Sequence, residues 1–528
     1  MRVEVDVAII GSGFAGALTA LALRSRGRRV ALLERGQHPR FAIGESSTPL
    51  ANLLLEEFAD RYGLPQIRAF SKWGTWQRSR PDVAGGLKRG FTFLFHQPRE
   101  PFADDPSHEH QLMVAASPND EIGDTHWYRP DFDHNLVREA EGAGAVYLDH
   151  ASIDRVSLDP DHVTLEIARA GHTIHLTASF IVDASGPRGF LSRALELPSP
   201  RPRWLPPTHG LYTHFEDVAR WDALRPDAAR PYPADDAAVH HVFPGGWIWV
   251  LRFNNGITSA GAALTDSVAS GLSQATAWDD LLHMLPSVRE QFQGARAVQP
   301  WIHAPHLAYR TTTVCGRRWA LLPSAAGVID PLLSTGFPLT LLGIGRLLGI
   351  LEDTSPGTAR ETALKDYERV TLDELDATEQ LVAALYSSMG DVPLFKRLTL
   401  LYFAAASFSE AARRLGRPGL APGFLLHRHP AFGPALHACT MMALARPQGR
   451  AREALIEEID SAIEPFDIAG LLDRSRRDWY PVLAGDLVEN ARKLYATAGE
   501  VDALLERCGF DSSHRSTSSA SGPTMKSA

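Results

Sequence analysis

The chain has only three cysteines in 528 residues, Cys315, Cys439 and Cys508, too far apart to form a CxxC pair. That argues against a disulfide framework and a thiolate metal site, so no metal is expected, and it points to a reducing compartment, the cytoplasm. An excess of positive charge is also lacking. The net charge of -9 gives neither nucleic acid nor an anionic membrane surface a reason to bind. No long apolar run is free of charge. The greasiest stretch, Val328 to Leu351, contains Asp330, Pro331, Pro338 and Arg346, and each charge would cost about 2.5–3.5 kcal/mol at the centre of a bilayer. A core helix of a soluble protein is the expectation. The first residues read as a strand and not as a signal peptide.

What is present begins at Val7-Ala8-Ile9-Ile10, an apolar strand running into Gly11, Gly13 and Gly16. A helical segment follows over Ala17 to Arg24, then a second strand, Arg29 to Leu33, ending on Glu34. In that order Gly11 permits a tight turn, Gly13 lets the backbone approach a pyrophosphate, and Gly16 lets the helix pack on the strand. The helix N-terminus offers N–H groups to phosphate, and Glu34 can accept from ribose hydroxyls. Such a fingerprint occurs once. An enzyme that also binds a nicotinamide usually carries a second, so either reducing equivalents arrive from outside or a nicotinamide docks transiently without a domain of its own.

Further along, Arg138 to Val146 reads as helix, turn and strand, and Phe180 to Gly186 as a buried strand ending in a turn. Ser199 to Pro233 is rich in Pro and Arg, which predicts loops. His240 to Phe253 and Gly256 to Ala263 read as adjacent strands around Asn254-Asn255-Gly256. Helical stripes occupy Ala363 to Tyr386, Ala454 to Ile463 and Asp486 to Leu505. The length allows two or three domains. The Ser-rich end, 511–528, is expected to be disordered.

Three further blocks carry a resemblance: Arg40-Phe41-Ala42-Ile43-Gly44-Glu45-Ser46-Ser47-Thr48-Pro49, Gly85 to Phe93, and Ala326 to Gly336. With the opening glycines, Asp183-Ala184-Ser185-Gly186 and Trp247-Ile248-Trp249, they resemble the flavin-dependent halogenases. Gly245 to Val250 and Trp301-Ile302-His303-Ala304-Pro305 are similar to the branch acting on free phenols such as phloroglucinol. The resemblance covers roughly the first 350 residues in spaced blocks.

It implies an α/β fold, with a Rossmann-like FAD-binding domain of the p-hydroxybenzoate-hydroxylase type, a β-rich substrate domain and a helical C-terminal region. The expected boundaries are 1–80, 125–195 and 300–355 for FAD, 81–124 and 196–299 for substrate, and 356–510 for the helices. It also implies chemistry: FADH2, O2 and chloride or bromide yield hypohalous acid, which crosses an internal tunnel to a lysine and halogenates a small aromatic. A separate NAD(P)H-dependent flavin reductase would supply FADH2. Subunit number stays open, a homodimer included.

Residue by residue, the resemblance assigns Lys88 and Glu45 to catalysis. Cofactor contacts fall to Gly11, Gly13, Phe14, Ala15, Gly16, Glu34, Arg40, Ser46, Asp183, Ser324 and Gly336. Thr335 and Gly336 would bind halide, and Trp247, Trp249 and Ser334 would line the flavin side of the tunnel. Strand alternation puts Lys88, Gly90 and Thr92 on one face and Phe91, Phe93 and Phe95 on the other. Lys72 competes with Lys88 for the amine, which acts either as an ammonium donor or, desolvated, as a haloamine. Glu45 would orient Lys88 or take the ring proton, against a plain helix-capping role. Ser334-Thr335-Gly336 precedes Pro338 and a helix over Leu339 to Leu351, whose start either binds halide or is only capped.

Two departures stand out. The halogenase strand motif Trp-x-Trp-x-Ile-Pro ends here in Leu251-Arg252, which leaves Arg252 either in solvent or near the flavin. Ser324 stands where many flavin hydroxylases carry an Asp. The alternatives are an FAD-dependent aromatic monooxygenase or dehydrogenase without halide, and a flavin-binding protein without chemistry.

Overall fold

The computed structural model describes residues 1–103, 105–273 and 275–510, so the tail expected to be disordered lies outside the described residues. Two large sheets organise the chain. The first has eight strands. Its centre runs Trp319–Leu321, His172–Asp183, Arg2–Ile10, Val30–Leu33 and Val146–Leu148, all parallel. Parallel strands need both faces covered, and Val30–Leu33 is buried at every position. The helix Phe14–Ser25 packs between this sheet and the helices Arg129–Gly142 and Gly336–Asp353.

Gly336–Asp353 starts earlier than the sequence predicts, which makes Pro338 its third residue. Together with the turn before it, this helix is long and apolar enough to cross a membrane. Here it packs against the helices Phe14–Ser25, Pro49–Tyr62 and Thr358–Ser388 instead, with Ile344 and Leu347 fully buried.

The second sheet has nine strands. The run predicted over His240 to Phe253 is two strands, Ala238–Phe243 and Gly246–Arg252, because Gly245 takes a left-handed φ of 86° and reverses the chain. The turn at Asn254-Asn255-Gly256 then leads into Thr258–Thr265, which pairs antiparallel with Gly246–Arg252. The stretch predicted as loop from Ser199 to Pro233 contains the strand Thr208–Glu216. Two strands fall outside the expected substrate segments: Ile302–Ala304 pairs with Thr208–Glu216, and Trp479–Tyr480, in the helical region, extends the far edge. Both faces of this sheet are apolar. Trp247, Trp249 and Leu251 join the main core, while Ile248 and Val250 join a smaller core with the helices Ala277–Met284 and Pro286–Gln291.

A short ribbon links the two sheets. Gly85–Lys88 pairs antiparallel with Asp124–Trp127, so that Lys88 faces Asp124. The chain then breaks at Arg89, and Gly90–Phe95 enters the second sheet. The helices Thr358–Ser388, Val392–Arg414, Phe432–Leu444 and Arg450–Ile463 pack behind. The predicted stripe from Asp486 to Leu505 is interrupted: Ala484–Glu489 and Ala498–Arg507 are separate helices, with Tyr495 left-handed between them.

Arg252 lies neither in solvent nor among the tryptophans. Its Nε donates to Asp235 Oδ1 at 2.8 Å, and its other nitrogens donate to the carbonyls of Val218 (2.9 Å) and Ala219 (2.6 Å). Asp235 is fully enclosed. Removing one partner of such a pair leaves a buried charge uncompensated, typically about 3 kcal/mol. Arg252→Met is therefore expected to lower stability by about 3 kcal/mol in chemical denaturation.

Candidate active site

The nucleotide end is built around the first strand–helix turn. Gly11 has φ 96°, and a Cβ there would stand 2.5 Å from the Ala184 carbonyl oxygen. A Cβ on Gly16 would collide with the carbonyl of Gly11. Gly13 precedes the helix with no side-chain cap, and the atoms nearest to its missing Cβ belong to Arg129 (3.3 Å), Asp133 (3.5 Å) and Arg40 (3.6 Å). Phe14 and Ala15 are buried. Phe14 meets Phe337 edge-on at 4.9 Å, tying this turn to the start of Gly336–Asp353.

Glu34 ends the second strand, and its carboxylate accepts from Ser12 Oγ (2.9 Å), the Gly36 amide (3.0 Å) and Arg40 (3.4 Å). Burial alone would raise its pKa, but Arg40 and these donors outweigh it and hold the group below the ordinary range. The glycine cradle, the uncapped helix start and an ionised acid on the second strand fit the pyrophosphate and ribose of a dinucleotide.

The loop before Gly336–Asp353 carries two left-handed residues, Leu333 (φ 64°) and Ser334 (φ 55°). Such backbone persists only where its surroundings fix it, and here Tyr402 donates to the Leu333 carbonyl at 3.0 Å. Thr335 is buried, whereas Gly336 is exposed and has nothing within 4 Å of its Cβ direction. Just upstream, Tyr386 donates to Asp330 Oδ2 (2.8 Å) and receives from Trp247 Nε1 (3.1 Å). Burial pushes Asp330 up to about 6. The tryptophan strand, the helix Thr358–Ser388 and this loop are thereby pinned together. Trp249 lies 5.6 Å from Trp247 and donates to Ser259 Oγ at 3.4 Å.

Lys88 is 0% exposed. Its Nζ donates to Ser46 Oγ (2.8 Å) and to the Ser47 carbonyl (2.5 Å) and stands 3.7 Å above the Phe91 ring. The simple alternation expected for this segment therefore fails. The break at Arg89 turns the strand, so that Lys88 and Phe91 face each other. Desolvation drives the Lys88 ammonium down to about 7, opposed by the carboxylate of Asp124, while burial lifts Asp124 to about 6. From Phe91 the wall continues through His240 (5.8 Å from Phe91) to Trp247 (5.1 Å from His240). Burial, then Lys88, pushes His240 down to about 3.

Beside Phe91 opens an apolar cleft with about 1350 Å³ of empty space including its mouth. Thr48, Phe91, Tyr402, Phe403 and Leu505 are among its walls, and Lys72 and Glu410 are among its few charged residues.

The family model for FAD dependent oxidoreductases matches residues 6–318. The chain is 30% identical to monodechloroaminopyrrolnitrin halogenase PrnC of Pseudomonas fluorescens, over 74% of this chain and 69% of that protein. It is also 30% identical to tetracycline 7-halogenase of Kitasatospora aureofaciens, over 76% and 73%. The chain belongs to the flavin-dependent halogenases. The crystal structure of halogenase PltM in complex with phloroglucinol and FAD superposes with a TM-score of 0.81 at 27% identity, covering 90% of this chain and 99% of that one.

This halogenase is an oxidoreductase that uses FAD and halide, and several of the residues expected at its site also hold partners within the chain. Ser46, expected at the cofactor, accepts from Lys88. Asp183, also expected there, has both oxygens engaged by Ser185 and the Leu191 amide, so it shapes the turn after its strand. Glu45 does not hold Lys88. It pairs with His214 at 2.8 Å, both being buried, while Arg129 donates to the Gly44 carbonyl beside it. Ser324 is half-buried in the short helix Pro323–Ala326. Asp124, His214, Asp330 and Tyr386 were missed as site residues. Asp330 lay inside a quoted block; the others are joined only by tertiary pairing and carry no local signature.

The folded halogenase holds the Lys88 proton less tightly than the unfolded chain does. Stability therefore rises with pH from about 7 towards the ordinary lysine value of 10.5. Thermal unfolding across that interval is expected to show the wild type gaining on Lys88→Met as pH increases. Parallel curves would show that the amine titrates normally.

Proposed function

We propose that the halogenase acts on a small electron-rich phenol, and that Lys88 is the amine that receives hypohalous acid and presents the halogen to the ring. Bound reduced FAD, with O2 and chloride or bromide, supplies that acid. The observation that carries the reading is the fully buried Lys88 amine, held by Ser46 and Ser47 against Phe91. Desolvation to about 7 leaves both the ammonium and the free amine accessible near neutrality. The first can donate to the hypohalite oxygen; the second can carry the halogen.

The remaining parts have supporting positions. The wall Phe91–His240–Trp247, tied through Tyr386 to Asp330, gives a continuous aromatic surface from Lys88 towards the loop at Thr335 and Gly336. At the start of the helix Gly336–Asp353, unpaired N–H groups and the helix dipole favour an anion, and we assign halide there. The apolar cleft beside Phe91 accommodates a small aromatic, and PltM, which shares the fold over nearly its whole length, was crystallised with phloroglucinol. The single nucleotide fingerprint supports a separate flavin reductase as the source of FADH2.

The test supplies reduced FAD, O2, bromide and a panel of phenols, and weighs the products. A bromine isotope pair is expected; a gain of one oxygen alone would replace this reading with a monooxygenase. Lys88→Ala is expected to abolish halogen transfer, at least about a hundredfold, while flavin oxidation continues. Retained halogenation in that variant would remove Lys88 from its role.

A further inference from the structure

Lys88 does not stand alone in its chamber. Across the ribbon it faces Asp124, a residue buried to within 1% of full enclosure. Asp124 Oδ1 accepts from Asn52 Nδ2 at 2.8 Å and lies 4.0 Å from Lys72 Nζ. Its other oxygen, Oδ2, is buried with no hydrogen-bond partner among the described residues. One carboxylate thus sits between two amines of unequal exposure: Lys88 is sealed, whereas the Lys72 side chain is 22% exposed and lines the apolar cleft. The second lysine singled out from the sequence is joined to the first through this acid.

We infer that Asp124 is the proton acceptor for Lys88 and that Lys72, on its far side, holds Asp124 ionised for that task. The inference rests on the assignment of Lys88 as the halogen-bearing amine. The step moves one proton and no electrons: Lys88 ammonium and Asp124 carboxylate become Lys88 amine and Asp124 carboxylic acid, with no change in net charge. No co-reactant is needed. The free Oδ2 is the atom available to take the proton, which passes through a bridging water because Lys88 Nζ makes no hydrogen bond or ion pair with Asp124 among the described residues. Constant charge matters in a site this enclosed, because exporting a proton would leave the Asp124 carboxylate with only the partly exposed Lys72, 4.0 Å away, to offset it. Desolvation lowers the lysine and raises the acid, which narrows the gap between their proton affinities.

Other charged neighbours are few. Glu410 approaches Asp124 from the helix Val392–Arg414, but it pairs with Arg414 at 2.7 Å. His126 and His240 face Lys88 and are kept neutral, burial lowering both before Lys88 lowers them further. Cys508 lies near Lys72 and is held as the thiol by burial. Asp124 is the carboxylate that Lys88 feels.

The experiment uses the full chain with FADH2, O2, bromide and a phenol acceptor, following brominated product and FADH2 oxidation against pH. Asp124→Asn keeps the shape of the side chain and its Asn52 neighbour. It is expected to slow bromination about a hundredfold near neutrality with FADH2 oxidation unchanged. It should also move the acid limb of the bromination profile to lower pH, since Lys88 loses the charge that favoured its proton. Asp124→Glu should restore part of the rate. Lys72→Met should slow bromination less, and the double variant should match Asp124→Asn, because Lys72 acts only through the acid. A purely structural role would lower the melting temperature without moving the limb. Wild-type rate and an unmoved limb in Asp124→Asn, with Lys88→Ala inactive, would overturn this inference alone. Full bromination in Lys88→Ala would overturn the lysine assignment and this inference together.

Discussion

A primary amine with no exposure to water is the constraint around which the site is arranged. Burial of an isolated ammonium is opposed by several kcal/mol, and Lys88 is relieved by a hydroxyl, a carbonyl, a ring face and the charge of a carboxylate drawn from three separate segments. Each of those segments has to be held in place. The ribbon carrying Lys88 is anchored where the Asn254 amide donates to the Gly85 carbonyl (2.8 Å) and the Gly85 amide donates to Asn254 Oδ1 (3.1 Å), and where Trp76 donates to the Val83 carbonyl at 2.8 Å. Gly86 packs against the carbonyl of Arg252, with no room for a Cβ. The ribbon is therefore fixed to the end of the strand that bears Trp247 and Trp249.

That connection gives Arg252 a physical meaning. The halogenase resemblance leads one to expect proline at this position. Here an arginine extends to the opposite face of the sheet from the tryptophans, clasping Asp235 and two carbonyls. The strand end is locked by a buried ion pair instead of a rigid ring. The tryptophan face is untouched by the exchange, because alternation along an extended strand separates neighbouring side chains by the thickness of the sheet.

The cofactor end and the lysine chamber are likewise coupled through packing. Phe14 and Phe337, at the starts of two helices from distant parts of the sequence, meet each other and Trp127. Trp127 closes the strand that supplies Asp124. The Trp247–Tyr386–Asp330 chain performs the same service on the other side, tying the loop before Gly336–Asp353 to the second sheet and to the C-terminal helices. The helical region is thus part of the site's architecture, contributing Tyr386, Tyr402 and the far wall of the cleft.

Local pattern carried the nucleotide turn, since a strand, three spaced glycines, a helix and a terminal acid lie within the first 34 residues and need no distant partner to be read. The family blocks carried Lys88 and the tryptophans. What local pattern misread was orientation: alternation assumes an unbroken strand, and the break at Arg89 brought Lys88 onto Phe91. Of the roles expected for Glu45, orienting Lys88 is the one the packing contradicts, because His214 pairs with it. Asp124 and Tyr386 have no signature within their own segments; strand pairing and helix packing alone bring them to the lysine and the indole. By itself the sequence determined the cofactor cradle and which amine to suspect, because those signals are short-range. Tertiary structure alone decided how that amine is desolvated and which carboxylate faces it, because burial and charge pairing are properties of the packed chain.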